Sequence, residues 1–88
     1  MALWGADIEQ LRQLSSQLSQ KAGEIDSVLS TLTAKLGGTE WRGPDADSFR
    51  REWESTHTNA LKQVAAALRD ASSKAQQNAT QQEGASSN

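Results

Sequence analysis

Cysteine and tyrosine are absent from this 88-residue chain, and proline, phenylalanine and histidine each occur once. Without cysteine there is no disulfide framework and no thiolate metal site. The single histidine, His57, has no second histidine or cysteine with which to share a metal ion. Because no nucleophile has a plausible base and no phosphate-binding glycine pattern occurs, we expect no catalytic residues, no cofactor and no enzyme activity.

Long runs of like-charged residues and of apolar residues are also missing. The net charge is -2, and its nine basic and eleven acidic residues are interspersed, which argues against a nucleic-acid partner. No apolar run approaches the roughly 20 residues of a membrane span, so we expect no direct membrane insertion. The N-terminus shows no basic or apolar region of a conventional signal peptide.

Apolar residues are scarce for a chain of this length. They make up 35% of the sequence, and the mean hydropathy is -0.70. Small chains bury a limited share of their surface. One small domain that gains stability from a partner subunit is therefore expected.

The turn at residues 37–43 divides the chain almost in half. Gly37 and Gly38 predict a helix end in the left-handed conformation that glycine accepts. Pro44 predicts a helix start, since its missing N–H costs nothing at the first helical position. Asp45 and Asp47 place negative charge in the first turn, which suits the helix dipole. The centre of the chain is thus a corner between two helices, with Trp41 inside it.

The first helix is predicted from about residue 7 to residue 36, capped by Asp7 with Gln10 three residues later. Its apolar residues alternate at the four-three spacing of a helix that packs along its whole length. Gly23 interrupts it and indicates either a close helix contact or a mild bend. One heptad row is Trp4, Leu11, Leu18, Ile25 and Leu32, the other is Ile8, Ser15, Ala22, Leu29 and Leu36, and Leu14 and Val28 lie beside them.

The second helix is predicted from 44 to about 82, with an apolar stripe three rows wide. Short turns make neighbouring helices antiparallel. We expect Leu36 opposite Pro44, Trp53 near Val28, and Trp4 near Gln76. The stripe consists of Ala46 and Phe49, then Trp53, Ala60 and Ala67, then His57, Val64 and Ala71, then Leu61, Leu68 and Ala75.

These patterns predict an all-α fold over residues 1–83. The architecture is an antiparallel two-helix hairpin that dimerises into a four-helix bundle, because one hairpin cannot cover both broad stripes. Residues 84–88 are predicted to form a disordered tail. The tail is either a solvated terminus or a segment that orders on binding.

Two side chains invite alternative interpretations. Trp41 either packs over the open end of the helix pair or is displayed as part of a docking surface, and both roles are compatible. His57 lies on or near the packed face, where packing or an interface role is more common than catalysis.

The string from Trp41 to Trp53, Trp-Arg-Gly-Pro-Asp-Ala-Asp-Ser-Phe-Arg-Arg-Glu-Trp, resembles the WXG family of small secreted helical hairpins. This is the early-secreted-antigen-target type, and the string is similar to its actinobacterial branch. The resemblance implies a dimer with itself or with a related WXG hairpin. It also implies export through a type VII (ESX) secretion system and its membrane-bound ATPase. That route uses no cleaved signal peptide, so the protein is cytoplasmic before export and secreted afterwards.

In the family, the turn of one subunit lies near the tail of its partner, and together they form the export-recognition surface. On this basis Trp41 and Gly43 are candidate recognition residues. Many exported members carry Tyr-x-x-x-Asp/Glu after the second helix. Here Glu83 supplies the acid, but Ala79 stands where the aromatic residue belongs.

Three hypotheses follow. The chain is a type VII substrate or a co-secretion partner of a larger effector, or it is an intracellular targeting chaperone for a helical toxin domain. In the third hypothesis it is a structural helical-bundle module, in which Trp41 acts as a plug.

Overall fold

Two long helical segments run antiparallel and form a hairpin in the computed structural model, which describes residues 7–87 and the side chains of residues 7–84. Helix α1 spans Ile8–Gly38. A five-residue turn leads to α2, Pro44–Glu52, which continues through a π-helical turn, Trp53–His57, into α3, Thr58–Ser87. The molecule is a rod of 66 × 18 × 14 Å. The predicted all-α hairpin is confirmed, and no strand occurs among the described residues.

Helix α1 begins as its sequence predicts. The Asp7 side chain accepts a hydrogen bond of 2.9 Å from the backbone N–H of Gln10. The backbone N–H of Leu11 donates to the Asp7 carbonyl at 2.9 Å, which closes the first helical turn. The cap satisfies one of the backbone N–H groups that a helix start leaves without a partner.

The end of α1 differs from the prediction. Gly37 and Gly38 remain helical, and neither adopts a positive φ. The helix ends instead at Thr39, whose backbone is extended (φ -100°, ψ 129°) and whose hydroxyl donates to the Lys35 carbonyl at 2.6 Å. The predicted left-handed glycine cap is therefore wrong, and a side-chain hydroxyl bonds one of the last carbonyls of the helix instead.

Helix α2 begins at Pro44, as predicted, with Asp45 and Asp47 in its first turn. The predicted alignment across the turn is wrong. The Trp53 indole N–H donates to the hydroxyl of Thr33 at 3.0 Å, so Thr33 rather than Val28 is its partner. The proposed contact between Trp4 and Gln76 involves a residue outside the described part of the chain.

A partly buried serine pair joins the two helices in the half of the hairpin away from the turn. The Ser15 hydroxyl donates to the Ser72 carbonyl at 2.8 Å, and the Ser72 hydroxyl donates to the Ser15 carbonyl at 2.8 Å. Ser15 breaks the apolar pattern in the sequence, yet its polar group is satisfied across the interface. A satisfied pair of this kind avoids the cost of burying a lone hydroxyl.

The π-helical turn changes the register of the second helix. A π-turn inserts one extra residue into an otherwise α-helical stretch. Leu61, the next large apolar side chain that is partly buried, therefore lies eight positions after Trp53 and not seven. The predicted row that continued from Trp53 to Ala60 and Ala67 is wrong, since both alanines are exposed.

The core consists mainly of small side chains. Alanines fill much of the space between the helices, and the sequence pattern did not single out Ala65 or Ala79. The buried apolar residues are Ala22, Leu29, Ala46, Trp53, Ala65, Ala75 and Ala79. Ile8, Leu11, Leu18, Ile25, Leu36, Leu61 and Leu68 are partly buried at its edges.

Two further expectations concern Gly23 and the tail. A side chain at Gly23 would meet nothing within 4 Å, so close packing inside the hairpin does not explain this glycine. Helix α3 continues past Gln82 to Ser87. The predicted disorder of residues 84–88 is untested and stays a prediction, and Asn88 lies outside the described residues.

Candidate recognition site at the turn

Trp41 is half-exposed at the turn end of the rod. The residue is 41% accessible, yet it has defined neighbours on one side. Its ring lies 6.0 Å from the Phe49 ring, with a tilt of 47° between the planes. The Arg50 guanidinium carbon lies 5.9 Å from the centre of the indole. One side of Trp41 therefore packs against Phe49 and Arg50, while much of the residue stays accessible.

Arg50 holds the turn together. One guanidinium nitrogen, Nη1, donates to the Trp41 carbonyl at 2.7 Å. The other, Nη2, donates to the carbonyls of Leu36 at 3.1 Å and Thr39 at 3.0 Å. The sequence analysis missed this residue. The only signal was an arginine near the turn, and its carbonyl partners cannot be read from a side-chain pattern.

Gly43 has a conformation that is nearly exclusive to glycine. Its φ is 124° and its ψ is 175°, and among the described residues it is the one position with a positive φ. An added Cβ would meet no atom within 4 Å, so the constraint comes from the backbone and not from crowding. Its carbonyl accepts from the Asp47 N–H at 3.0 Å and starts α2. Gly43 therefore sets the chain direction between Trp41 and α2.

Replacing Gly43 with alanine should destabilise the hairpin by about 1–3 kcal/mol, the usual cost of forcing a side chain into this region. The expected result is a lower midpoint in urea unfolding followed by circular dichroism. Gly37→Ala is the matched control, because Gly37 is helical and a Cβ there meets nothing. It should be neutral or slightly stabilising. Equal effects of the two substitutions would contradict the backbone role of Gly43.

Trp53 is the tryptophan that lies buried in the hairpin. It is only 7% exposed and bonds to Thr33 on α1. Its ring lies 6.4 Å from that of Phe49, and His57 contacts both rings at 6.5 and 6.3 Å. These residues continue the aromatic contacts of Trp41 along the second helix. His57 keeps 47% of its side chain exposed and lies 3.9 Å from a Glu52 oxygen.

The third candidate recognition residue, Glu83, lies near the opposite end of the rod. Its carboxylate forms an ion pair with Arg12 on α1. Ala79, one helical turn earlier, is fully buried in the hairpin core. Within one chain, Trp41 and Gly43 are therefore close together, while Glu83 is separated from them by most of the 66 Å length.

The two broad sides of the hairpin differ in character. Arg12 and Asp26 each lie three residues before a buried α1 residue, and Arg69 and Glu83 each lie four residues after a buried α3 residue. The ion pairs Arg12–Glu83 and Asp26–Arg69 bridge the helices along that side. Residues that lie three positions after a buried residue, or four positions before one, are on the other side of the hairpin. The reason is that the i+3 and i+4 neighbours of a helical residue flank it on different sides.

That other side carries large apolar side chains of both helices, with Lys21 between Leu14 and Val28. We call it the apolar face. Large side chains on it remain well exposed: Leu14, Val28, Leu32 and Val64 are 43–48% accessible. The apolar face consists of Leu11, Leu14, Leu18, Ile25, Val28 and Leu32 from α1 and of Leu61, Val64 and Leu68 from α3.

The described residues contain no cluster of three or more histidine, aspartate or glutamate side chains that could hold a metal ion. In the same part of the chain, no helix combines the length and the apolar character that crossing a membrane requires. Comparison of the chain with family models, curated proteins and solved structures finds no match. The candidate site therefore rests on its geometry and on the motif.

Proposed function

We propose that this chain is a WXG-type hairpin that a type VII secretion system exports as a helical homodimer or heterodimer. The observation that carries the proposal is the half-exposed Trp41 at the hairpin tip, supported by Phe49 and Arg50. A large ring held in place at an exposed turn costs little ordering entropy when a partner binds it. This arrangement suits recognition better than it suits the closing of a hairpin, a role that Trp53 fills.

The uncovered apolar face supports the dimer. Exposed apolar patches larger than a few hundred Å² are uncommon on monomers and mark interaction sites. A second hairpin on this face would bury the leucine and valine side chains of both subunits and form a four-helix bundle. The ion-paired side would remain in contact with water, where surface pairs are only weakly stabilising.

An antiparallel dimer would also reunite the separated candidate residues. Trp41 and Glu83 lie toward opposite ends of one rod. When two equal rods lie antiparallel, the turn of each lies beside the tail of the other. The proposal therefore assigns Trp41 of one subunit and residues 79–83 of its partner to one recognition surface for the secretion ATPase.

Trp41→Ala tests the proposal. In the native host, we expect the variant in culture filtrate to fall by about tenfold or more, which is 1.4 kcal/mol or more of recognition energy. The dimer should persist, because Trp53 and the apolar face are unchanged. Quantitative mass spectrometry of filtrates from strains with and without the ATPase measures export, with a cytosolic lysis marker as reference.

Arg42→Ala is the matched control, since Arg42 lies next to Trp41 and its side chain is 87% exposed. It should be exported like the natural chain. Normal export of Trp41→Ala, or release that does not depend on the ATPase, would overturn the proposal. Melting of the dimer in Trp41→Ala would instead favour the structural-module hypothesis.

A second candidate function is that of an intracellular chaperone for a helical toxin domain. It is favoured by Ala79, which is buried where exported relatives would display an aromatic residue, and by the engagement of Glu83 with Arg12. The apolar face would then pack against the toxin. Confinement to the cytosol in both strains, together with a stoichiometric complex with one helical toxin domain, would support this function over export.

A further inference from the structure

We infer that Arg50 is the positioning residue of the turn motif and that it fixes the orientation in which Trp41 is exposed. The motif is then a unit of Trp41, Phe49 and Arg50, to which Gly43 contributes through its backbone conformation. The biological meaning of this inference rests on the proposed function, but the structural claim can be tested separately.

The first argument concerns the carbonyl groups at the end of helix α1. The last four carbonyls of an α-helix have no partner inside the helix. A left-handed glycine would usually satisfy some of them, but α1 ends without one. Arg50 supplies the missing donor to the Leu36 carbonyl, and its charge lies at the negative end of the helix dipole.

The second argument is that the same guanidinium also controls the residue to be displayed. It donates to the Trp41 carbonyl, which fixes the backbone, and it lies 5.9 Å from the indole centre, within the range of a cation–π contact. Phe49, the preceding residue, supports the ring from the helix side. One side chain therefore links the end of α1, the turn and the exposed ring.

The third argument is that lysine cannot replace this function. The arginine fork is planar and presents several N–H donors in a fixed arrangement. Here two of its nitrogens reach three carbonyls on different segments. A lysine ammonium is a point donor on a flexible stem, so it can keep the charge at the helix end but cannot span all three acceptors.

The test labels the chain with 5-fluorotryptophan and follows the ¹⁹F resonances of its three tryptophans, assigned with single Trp→Phe variants. In Arg50→Lys, the Trp41 resonance should shift more than halfway toward its position in urea. The Trp53 resonance should keep its position, which shows that the hairpin remains folded. Arg51→Lys is the matched control, because Arg51 is the exposed neighbour and shares none of these contacts; it should leave the Trp41 resonance unchanged.

An unchanged Trp41 resonance in Arg50→Lys would overturn the inference, and so would equal shifts in the Arg50 and Arg51 variants. Arg50→Ala adds a second measurement and should shift the resonance at least as far. Export provides a separate readout, which should fall in Arg50→Lys and not in Arg51→Lys. A shift of the resonance while the natural chain stays in the cytosol would support the role of Arg50 and refute the proposed export.

Discussion

Deleting Ser55 should leave the hairpin at least as stable as the natural chain, whereas deleting Gln63 should unfold most of its open end. Both residues are exposed on the second helix and both deletions remove one residue. Ser55 lies inside the π-helical turn and Gln63 lies in regular α-helix. The difference in stability between the two variants shows whether the extra residue of the π-turn sets the register of the second helix against α1.

The reason lies in the spacing of the packed residues. Without the extra residue, the chain after Trp53 forms an ordinary α-helix in which Leu61 and Leu68 are seven and fourteen positions on. They keep the places on α1 that they occupy in the structure. The deletion costs the hydroxyl bond of Ser55 to the Arg51 carbonyl, an exposed contact of modest value.

Deleting Gln63 rotates everything after it by about 100°, the angle between successive residues of an α-helix. Arg69 and Gln76 then take the places of Leu68 and Ala75 against α1. Two polar side chains enter the interface while apolar ones leave it, and Ser73 takes the place of Ser72 opposite Ser15. A loss of about 3–5 kcal/mol is expected for combined changes of this kind.

Thermal unfolding followed by circular dichroism at 222 nm distinguishes the two variants. One kcal/mol corresponds to about 4–8 °C in a domain of this size, so the Gln63 deletion should lower the midpoint by more than about 12 °C. The Ser55 deletion should match or exceed the natural chain. Similar losses in both variants would show that the π-turn does not set the register.

Local signals made the ends of the helices largely predictable. The side chain of Asp7 and the ring of Pro44 act on atoms a few residues away, so their effects follow from the sequence. Gly37 and Gly38 carry an equally local signal, but it was overridden. Arg50, more than ten residues later, donates to the Leu36 carbonyl in the last turn of the helix instead.

Long-range contacts could not be predicted from the sequence, for a physical reason. A heptad row assumes one constant helical repeat, and the π-turn breaks that assumption at Trp53. Ser15 reads as a defect until Ser72, 57 residues away, completes its hydrogen bonds. At the candidate site, Trp41 and Gly43 were found from their motif, whereas the role of Arg50 required the fold.

A pair of carboxylates on the apolar face should abolish the proposed dimer without unfolding the hairpin. Val28 and Val64 lie on opposite helices of that face and are 47% and 46% exposed in the single chain. In Val28→Asp/Val64→Asp, both charges remain in water in the monomer. In a four-helix bundle they would be buried without partners, which costs several kcal/mol.

Sedimentation velocity and circular dichroism on the natural chain and the double variant measure this effect. The dimer dissociation constant should rise by at least about a hundredfold, equivalent to 2.7 kcal/mol, while helix content is unchanged. Ser30→Asp/Ser73→Asp is the matched control, because it adds the same charges at exposed positions away from the apolar face.

The control should dimerise like the natural chain. If both double variants weaken the dimer equally, the added negative charge and not its place on the apolar face is the cause. If the valine variant still dimerises, another surface forms the dimer. If the natural chain alone is a folded monomer at high concentration, the homodimer is excluded. The apolar face would then require a different hairpin, and the two valines would be the first positions to test against it.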